Sequence, residues 1–313
     1  MISLPRKAKQ FLIALVKLCV VGGAFYFIYD QLANNDKLDW VRFEQMFKTN
    51  WNIAGISFIL LFSVLNRYFE ILKWQNLAST LRPMGIGEAT KQVLGALTAS
   101  IFTPNGIGEY GAKALFFDKI FARQVVFLNL ICNGIQMVLT VVLGTLGLLY
   151  FNAIVEVITE RTVLYILGLL AVLIGVSFFI RKFQIKGYSI ERLVRKINSL
   201  PKKVHRKNLL LALLRYAVFS HQYYFLFIAF DVDLPYLTLI SVITAIYFLA
   251  SSLPTFQFLD FAVKGSVAVY FFGLLGINEW IVVFIATLMW FLNVVLPVVI
   301  GSYFVLKFKP QWK

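Results

Sequence analysis

Long runs of apolar residues alternate along this chain with short polar segments. Several of the runs approach or exceed the roughly 20 residues that a helix needs to cross a bilayer. Polar and apolar residues do not alternate within the runs, as they would in the strands of a membrane barrel. The pattern predicts an all-α polytopic membrane protein with about six full spans. We expect these spans at residues 11–29, 51–68, 125–151, 163–180, 209–230 and 280–305.

Two further apolar stretches, residues 89–121 and 236–275, are each interrupted midway by proline and polar residues. The interruptions read TPNGIGEYGAK at 103–113 and LPTFQFLDFAVKG at 253–265. We interpret both stretches as re-entrant or short helical hairpins. Non-helical backbone is tolerated at membrane depth only where protein or water satisfies its polar groups, so we expect the two tips to meet in the interior.

Loop charge indicates the orientation, because cytoplasmic loops carry an excess of lysine and arginine. The segment 181–207 has ten such residues against the single acid Glu191 and is therefore predicted to be cytoplasmic. Counting spans from this segment places both termini in the cytoplasm of a multi-pass protein of the cell membrane. Apolar residues at helical spacing within the segment, at 190, 193, 194 and 197, also predict an amphipathic helix at the surface of an anionic leaflet.

The chain resembles itself after a shift of 151 residues. Glu109 then falls on Asp260 and Lys113 on Lys264, and the same offset registers the predicted spans of the two halves. The first span leaves the cytoplasm whereas its partner enters it, which predicts an inverted-topology repeat. The two halves, residues 1–155 and 156–313, form a single transmembrane domain.

Composition excludes several classes of function. Hydrophobic residues make up 60% of the chain and charged residues only 14%, whereas soluble domains are nearer half apolar and a quarter charged. The net charge of +15 resides mainly in loops, so it indicates topology and contacts with anionic lipid and does not predict nucleic-acid binding. Neither Cys19 and Cys132 nor His205 and His221 have metal-ligand spacing, and we expect no metal and no cofactor.

Ionisable residues at membrane depth are costly and are candidates for function. In the first interruption Pro104 removes a backbone donor, while the nearby glycines permit a turn that presents N–H groups to an anionic headgroup. The alternative is a plain turn followed by a structural ion pair between Glu109 and Lys113. The candidate substrate-binding residues are Arg67, Pro104, Asn105, Gly106, Gly108, Glu109, Lys113, Arg215, Asp260 and Lys264.

Arg67 and Arg215 lie within two predicted spans that the repeat relates. Their guanidinium groups either extend to the membrane interface or hold a phosphate through two hydrogen bonds. We interpret Gln136 and Asn293 as hydrogen-bond partners between helices. His221, deep in its span, suggests a polar cavity.

The run TPNGIGE at 103–109, followed by Gly111, resembles the glycine-rich signature of the lysylphosphatidylglycerol synthase transmembrane-region family. The Arg-Tyr pair of the second span and the Leu-Pro-Thr break of the second half are similar too, and the resemblance covers essentially the whole chain. It implies a flippase-like membrane region. The second half departs from the family pattern, because residues 256–259 replace the flexible turn with Phe-Gln-Phe-Leu.

In that family a separate soluble C-terminal domain performs aminoacyl transfer, and no such domain follows in these 313 residues. The resemblance therefore implies lipid binding or translocation and no enzymatic activity. Our leading hypothesis is a flippase-like protein that accepts an anionic or amino-acid-modified lipid headgroup between its halves. The alternative is a non-catalytic subunit that positions a partner enzyme for lipid modification or glycan assembly, and an oligomer is compatible with both. An enzyme using Glu109 or Asp260 as a base lacks a supporting nucleophile or cofactor motif.

Overall fold

The computed structural model describes residues 53–159, 189–253 and 260–309, with isolated positions elsewhere. These ranges are helical and contain no β-strand, which confirms the all-α prediction for this part of the chain. The predicted spans 11–29 and 163–180 and the centre of the second interruption, residues 254–259, lie outside the described ranges.

Between residues 53 and 156 the structure has four α-helices. A turn that includes Pro83 separates the first two, and the segment containing Pro104 and Gly106 separates the second from the third. The last ends at Glu156, whose backbone is left-handed (φ 50°). They are α1 (Ile53–Ala78), α2 (Ile86–Ser100), α3 (Gly108–Ala114) and α4 (Ala122–Val155), the last preceded by a 3-10 turn at Lys119–Phe121.

Six α-helices follow residue 189. Ser189 caps the first, because its hydroxyl accepts a hydrogen bond from the Arg192 N–H. Pro201 and Pro235 precede the second and third helices, where the missing proline N–H costs nothing. The helices are α5 (Ile190–Asn198), α6 (Lys202–Ala229), α7 (Tyr236–Ser252), α8 (Asp260–Gly273), α9 (Glu279–Trp290) and α10 (Leu296–Lys307), and a π-helical turn at Phe291–Val295 makes α9 and α10 continuous.

Among the described residues, three helices are long and apolar enough to cross a membrane, namely Ile53–Ala78, Lys119–Val155 and Glu279–Lys307. They contain the predicted spans 125–151 and 280–305 and residues 53–68 of the predicted span 51–68. The predicted span 209–230 lies in α6, which is 28 residues long. It is not one of the three candidates, because polar side chains such as Arg215, His221 and Gln222 lower its mean hydropathy.

The segment α5 is a helix, as its apolar spacing predicted. Leu193 and Val194 are exposed on it, whereas Ile197 packs against the buried cluster around Trp74. Lys196 places its ammonium 4.2 Å from the centre of the Phe127 ring. These contacts fasten α5 to the helical body and leave two of its apolar side chains facing outward.

Helices distant in sequence make the most extensive contacts. α1 packs along α6, α2 along α10, and α7 along α4. Under the shift of 151 residues α2 corresponds to α7, and α4 corresponds to the continuous α9 and α10. The α2–α10 and α7–α4 contacts are therefore equivalent under the shift.

Glycines permit close approach at both of these contacts. A Cβ at Gly147 of α4 would lie 2.6 Å from the carbonyl oxygen of Ser241 in α7. A Cβ at Gly301 of α10 would collide with two atoms of α2, the carbonyl oxygen of Leu94 and the side-chain hydroxyl of Thr98. Small residues at these positions let the helix backbones come together, as at many membrane helix interfaces.

The apolar core has two main clusters, one around Phe227 and Phe272 and one around Trp74 and Leu77. α1 joins them, since Ile59 belongs to the first cluster and Ile71 to the second. Asn66, Arg67 and Glu70 lie in the part of α1 between these two isoleucines. The candidate site is built there.

Candidate functional site

Four polar residues, Asn66, Arg67, Glu70 and Lys73, recur at helical spacing along one side of α1. Asn66, Glu70 and Lys73 are buried. The sequence prediction missed Glu70 and Lys73, because it ended the span at Tyr68, whereas α1 continues to Ala78. Arg67, Glu70 and Lys73 follow one another at intervals of three residues, and this spacing is the signal that identifies a buried polar side of one long helix.

Arg67 and Arg215 both face the carboxylate of Glu70. Arg67 forms an ion pair with it one turn along α1, and Arg215 Nη2 lies 3.5 Å from Glu70 Oε2. The side chains of the two arginines are 12% and 23% exposed. Both guanidinium groups point into the protein, so the alternative in which they extend to the membrane interface is wrong.

Amide side chains connect this ion cluster across three elements. Asn66 Nδ2 donates to Asn293 Oδ1 (2.7 Å), and Arg215 Nε donates to Asn66 Oδ1 (3.1 Å). Asn293 Nδ2 donates to Gln222 Oε1 (3.0 Å), and Gln222 Nε2 donates to Ser63 Oγ (2.6 Å). The network confirms the interpretation of Asn293 as an interhelical partner, and it holds α1, α6 and the π-helical turn in one arrangement.

The main chain of the π-helical turn supplies a further contact. Arg67 Nη2 donates to the carbonyl oxygen of Asn293 at 2.5 Å. In a regular helix that oxygen accepts from the N–H four residues later, but residue 297 is proline and has no N–H. Pro297 thus leaves an acceptor at membrane depth that the arginine uses.

These residues surround a cavity of about 180 Å³ between α1, α6, α8 and α9. Four predicted site residues, Arg67, Glu109, Arg215 and Lys264, line it together with Glu70. Three positive and two negative side chains give this lining a formal charge of +1. The remaining wall is largely aromatic or amide and includes Asn66, Phe219, Tyr223, Tyr247, Trp290 and Asn293.

Glu109 and Lys113 form an ion pair within α3. Lys113 is fully buried, donates to Asn129 Oδ1 at 2.8 Å and places its ammonium 4.3 Å from the centre of the Trp74 ring. The predicted structural ion pair is therefore present. Glu109 also reaches the cavity, whereas Lys113 is enclosed behind it.

The glycine-containing turn of the first interruption lies away from the cavity. Asn105 (φ 47°) and Gly106 (φ 65°) adopt left-handed backbone, and Thr103 Oγ1 accepts from the Gly108 N–H at 2.9 Å. Pro104 and Asn105 are exposed, so the expectation of a buried tip is wrong for them. A left-handed pair of residues reverses the chain here, and that reversal turns the tip outward. The side chain of Asp260 lies outside the described residues.

Lys73 continues the polar side of α1 beyond the cavity. It is fully buried and donates from Nζ to Gln136 Oε1 of α4 at 3.2 Å. The contact confirms the interpretation of Gln136 as an interhelical partner. Lys73 is thus, like Lys113, a buried ammonium with a structural hydrogen-bond partner.

A second pocket of about 610 Å³ lies on the opposite side of α6, between α4 and α7. Its walls are largely apolar, and Leu146, Leu214 and Leu237 are exposed at the surface of the helical body. We call this pocket the lateral groove. His221 lines it and pairs with the hydroxyl of Tyr236 at 2.9 Å, so the residue predicted to mark a polar cavity borders an apolar one.

Aromatic rings form the wall between the lateral groove and the charged cavity. Tyr216 lines the groove, and its ring centre lies 6.4 Å from that of Tyr247, which lines the cavity. Arg215 and Tyr216 are neighbours on α6, so the two spaces lie at the same height along the helix. Tyr216 is 9% exposed, and its hydroxyl is enclosed without a hydrogen-bond partner in the described structure.

Comparison of the sequence with protein-family models and with curated proteins found no match. The resemblance to the lysylphosphatidylglycerol synthase transmembrane region therefore remains a prediction from the short motif at 103–111.

Proposed function

We propose that this chain is a flippase-like membrane protein that binds the anionic headgroup of a phospholipid and moves it across the bilayer. The observation that supports the proposal is the convergence of Arg67, Arg215 and Lys264 on one small cavity inside an apolar helical body. Burying cations away from water is costly unless they have partners, and intramembrane charges commonly mark a substrate pathway.

Phosphate is the headgroup chemistry that this lining fits. A guanidinium binds two phosphate oxygens through parallel hydrogen bonds, and an ammonium adds a third donor without fixed geometry. Arg67 and Arg215 already converge on one carboxylate oxygen of Glu70, so the two groups are spaced to share a single anion.

The lateral groove favours a lipid over a free anion. It is apolar, borders the cavity through the Tyr216 and Tyr247 rings, and has a volume within the range of about 300–1,000 Å³ that ligand pockets occupy. Movement of the Tyr216 and Tyr247 rings would join the two spaces, and a lipid whose phosphate occupies the cavity would then extend an acyl chain along this groove.

Translocation requires the cavity to open toward each face in turn. We propose about six spans and two re-entrant or short helical hairpins arranged as an inverted repeat, with residues 1–155 and 156–313 as its halves. The equivalent contacts of α2 with α10 and of α7 with α4 support this arrangement. Rocking of the two halves about the packed pair of α1 and α6 would expose the cavity alternately.

The first test is mass spectrometry of the lipids that remain bound after mild purification. We expect the wild-type protein to retain anionic phospholipid selectively, and the Arg67→Gln, Arg215→Gln double variant to lose this enrichment. Hydrogen bonds to charged groups contribute about 1.5–3 kcal/mol each, so the loss should be at least roughly tenfold. Arg195→Gln on the exposed surface of α5 is the matched control.

The second test is movement of fluorescent phosphatidylglycerol in proteoliposomes, followed by quenching from outside. Faster loss of the inner-leaflet signal with wild-type protein than with the double variant supports translocation. Retention of the lipid without movement, together with co-purification of an enzyme, would instead support the alternative of a non-catalytic subunit. Equal lipid retention by wild type and double variant would contradict the proposed site.

A further inference from the structure

We propose that Glu70 is a built-in counter-ion that the phosphate headgroup displaces, so that each headgroup bound takes up one proton. The inference rests on the proposed function, because it concerns the same cavity. It adds proton coupling to headgroup binding.

Glu70 occupies the place on the two arginines where a phosphate would bind. Its Oε2 pairs with Arg67 and lies 3.5 Å from Arg215 Nη2. The residue is 8% exposed and forms part of the cavity lining. An anion that binds both guanidinium groups in this way must therefore displace this carboxylate.

After displacement an ionised Glu70 would share a cavity of about 180 Å³ with a second anion. With both guanidinium groups bound to the phosphate, Glu70 loses its two partners. The free energy of the doubly ionised state then rises, and one of the two acids takes up a proton. A phosphodiester stays ionised, so the carboxylate accepts the proton. The binding step combines ionised protein, anionic headgroup and one proton, and its product contains neutral Glu70 beside the bound phosphate.

The other charged groups around Glu70 either have partners of their own or belong to the proposed phosphate site. Lys73 donates to Gln136, and Lys113 is held by Glu109 and Asn129. Lys264 lies across the cavity and belongs to the proposed phosphate site. In the part of the chain that the structure describes, the charged groups that face Glu70 are Arg67 and Lys73 on α1, Arg215 on α6, Glu109 and Lys113 on α3, and Lys264 on α8.

Neither histidine lines this cavity. His221 lines the lateral groove, and His205 bonds to the carbonyl oxygen of Ile197 near α5. Glu109 does line the cavity, but it keeps its own ion pair with Lys113 when the headgroup binds. The proposal therefore assigns the proton to Glu70, the carboxylate that loses its partners.

The test is isothermal titration calorimetry of the purified full chain in detergent at pH 6, 7 and 8, with two buffers of different ionisation enthalpy. The probes are dihexanoylphosphatidylglycerol and glycerophosphoglycerol, which share one phosphodiester headgroup with and without acyl chains. Binding linked to one proton should weaken about tenfold for each unit of rising pH. The difference between buffers should report uptake of one proton for each ligand bound.

Glu70→Gln should bind the same probe with an affinity that does not change with pH, and Glu191→Gln on α5 should retain the wild-type dependence. The buffer comparison uses wild-type protein alone, so it decides the question even where a variant fails to fold. Binding without proton uptake would overturn the counter-ion role and leave the proposed function standing. Absence of binding by both probes would overturn both proposals, and binding of the lipid alone would identify a lipid as the source of the phosphate.

Discussion

Arg67 donates a hydrogen bond to the main-chain oxygen of Asn293, which lies 226 positions away along the chain. The acceptor is available because Pro297 cannot supply the usual helical N–H. A proline in one helix thus positions an arginine of another. This relationship predicts that the candidate site responds to a substitution that removes no charged group.

Pro297→Ala restores an N–H that competes with Arg67 for the Asn293 oxygen. We expect headgroup affinity to fall about three- to tenfold, since the lost bond is one charge-assisted hydrogen bond among several. Thermal stability should stay constant or increase, because alanine favours the helix. Calorimetry with dihexanoylphosphatidylglycerol measures the affinity, and Pro235→Ala at the start of α7 is the control. Unchanged affinity would show that the carbonyl of Asn293 is not needed to position Arg67.

Lys113→Met removes a fully buried ammonium and leaves Glu109 and Asn129 without it. Breaking a buried ion pair typically costs about 3–5 kcal/mol, so we expect a large fall in unfolding temperature. Adding Glu109→Gln to this variant should recover part of the loss. Thermal unfolding in detergent gives the comparison, with Glu191→Gln as the exposed control. A fully additive double variant would mean that the pair contributes no coupling energy.

Gly147→Ala should destabilise the contact between α4 and α7, because its Cβ would lie 2.6 Å from the Ser241 carbonyl oxygen. Overpacking of this kind costs about 1–3 kcal/mol. Gly134→Ala lies in the same helix with no atom within 4 Å of the new Cβ, and it should be neutral or stabilising. Denaturation of both variants in one detergent tests the contrast. Equal stability of the two would indicate that the helices can separate at Gly147 without cost.

Single cysteines at Asp118 and Glu156 test whether α4 crosses the membrane. Both positions are exposed and lie beyond opposite ends of this helix. In sealed vesicles of known orientation, with the native cysteines replaced, a membrane-impermeant maleimide should label Glu156→Cys from the outer face. Asp118→Cys should react only after the vesicles are opened. Labelling of both positions from the same face would contradict the proposed topology.

Hydropathy predicted the long helices well, because α1, α4 and the continuous α9 and α10 each contain an apolar run that is a local property of the sequence. The same reasoning missed Glu70, since it ended the span at Tyr68 whereas α1 continues to Ala78. A buried charge is tolerated where it has partners of opposite charge, and Arg215, a partner of Glu70, lies 145 residues away in sequence. Proximity in sequence does not reveal such partners.

Some of the predicted site residues lie at the cavity and others do not, for a similar reason. Arg67, Glu109, Arg215 and Lys264 were selected because charge at membrane depth is costly, and the structure places all four at one cavity. The turn around Asn105 was selected because its proline and glycines permit a turn that presents N–H groups to an anion, and Pro104 and Asn105 are exposed. Local turn chemistry predicts that the chain reverses. It does not predict which way the reversed segment faces.

The packing of α2 on α10 has a consequence for synthesis of the chain. Thr98 donates to the carbonyl oxygen of Val298, a partner made 200 residues later. At roughly 5–20 residues per second the ribosome needs about 10–40 s to supply it. During that interval Leu94 and Thr98 lack their partners in α10, and their packing is complete only once Gly301 has been made.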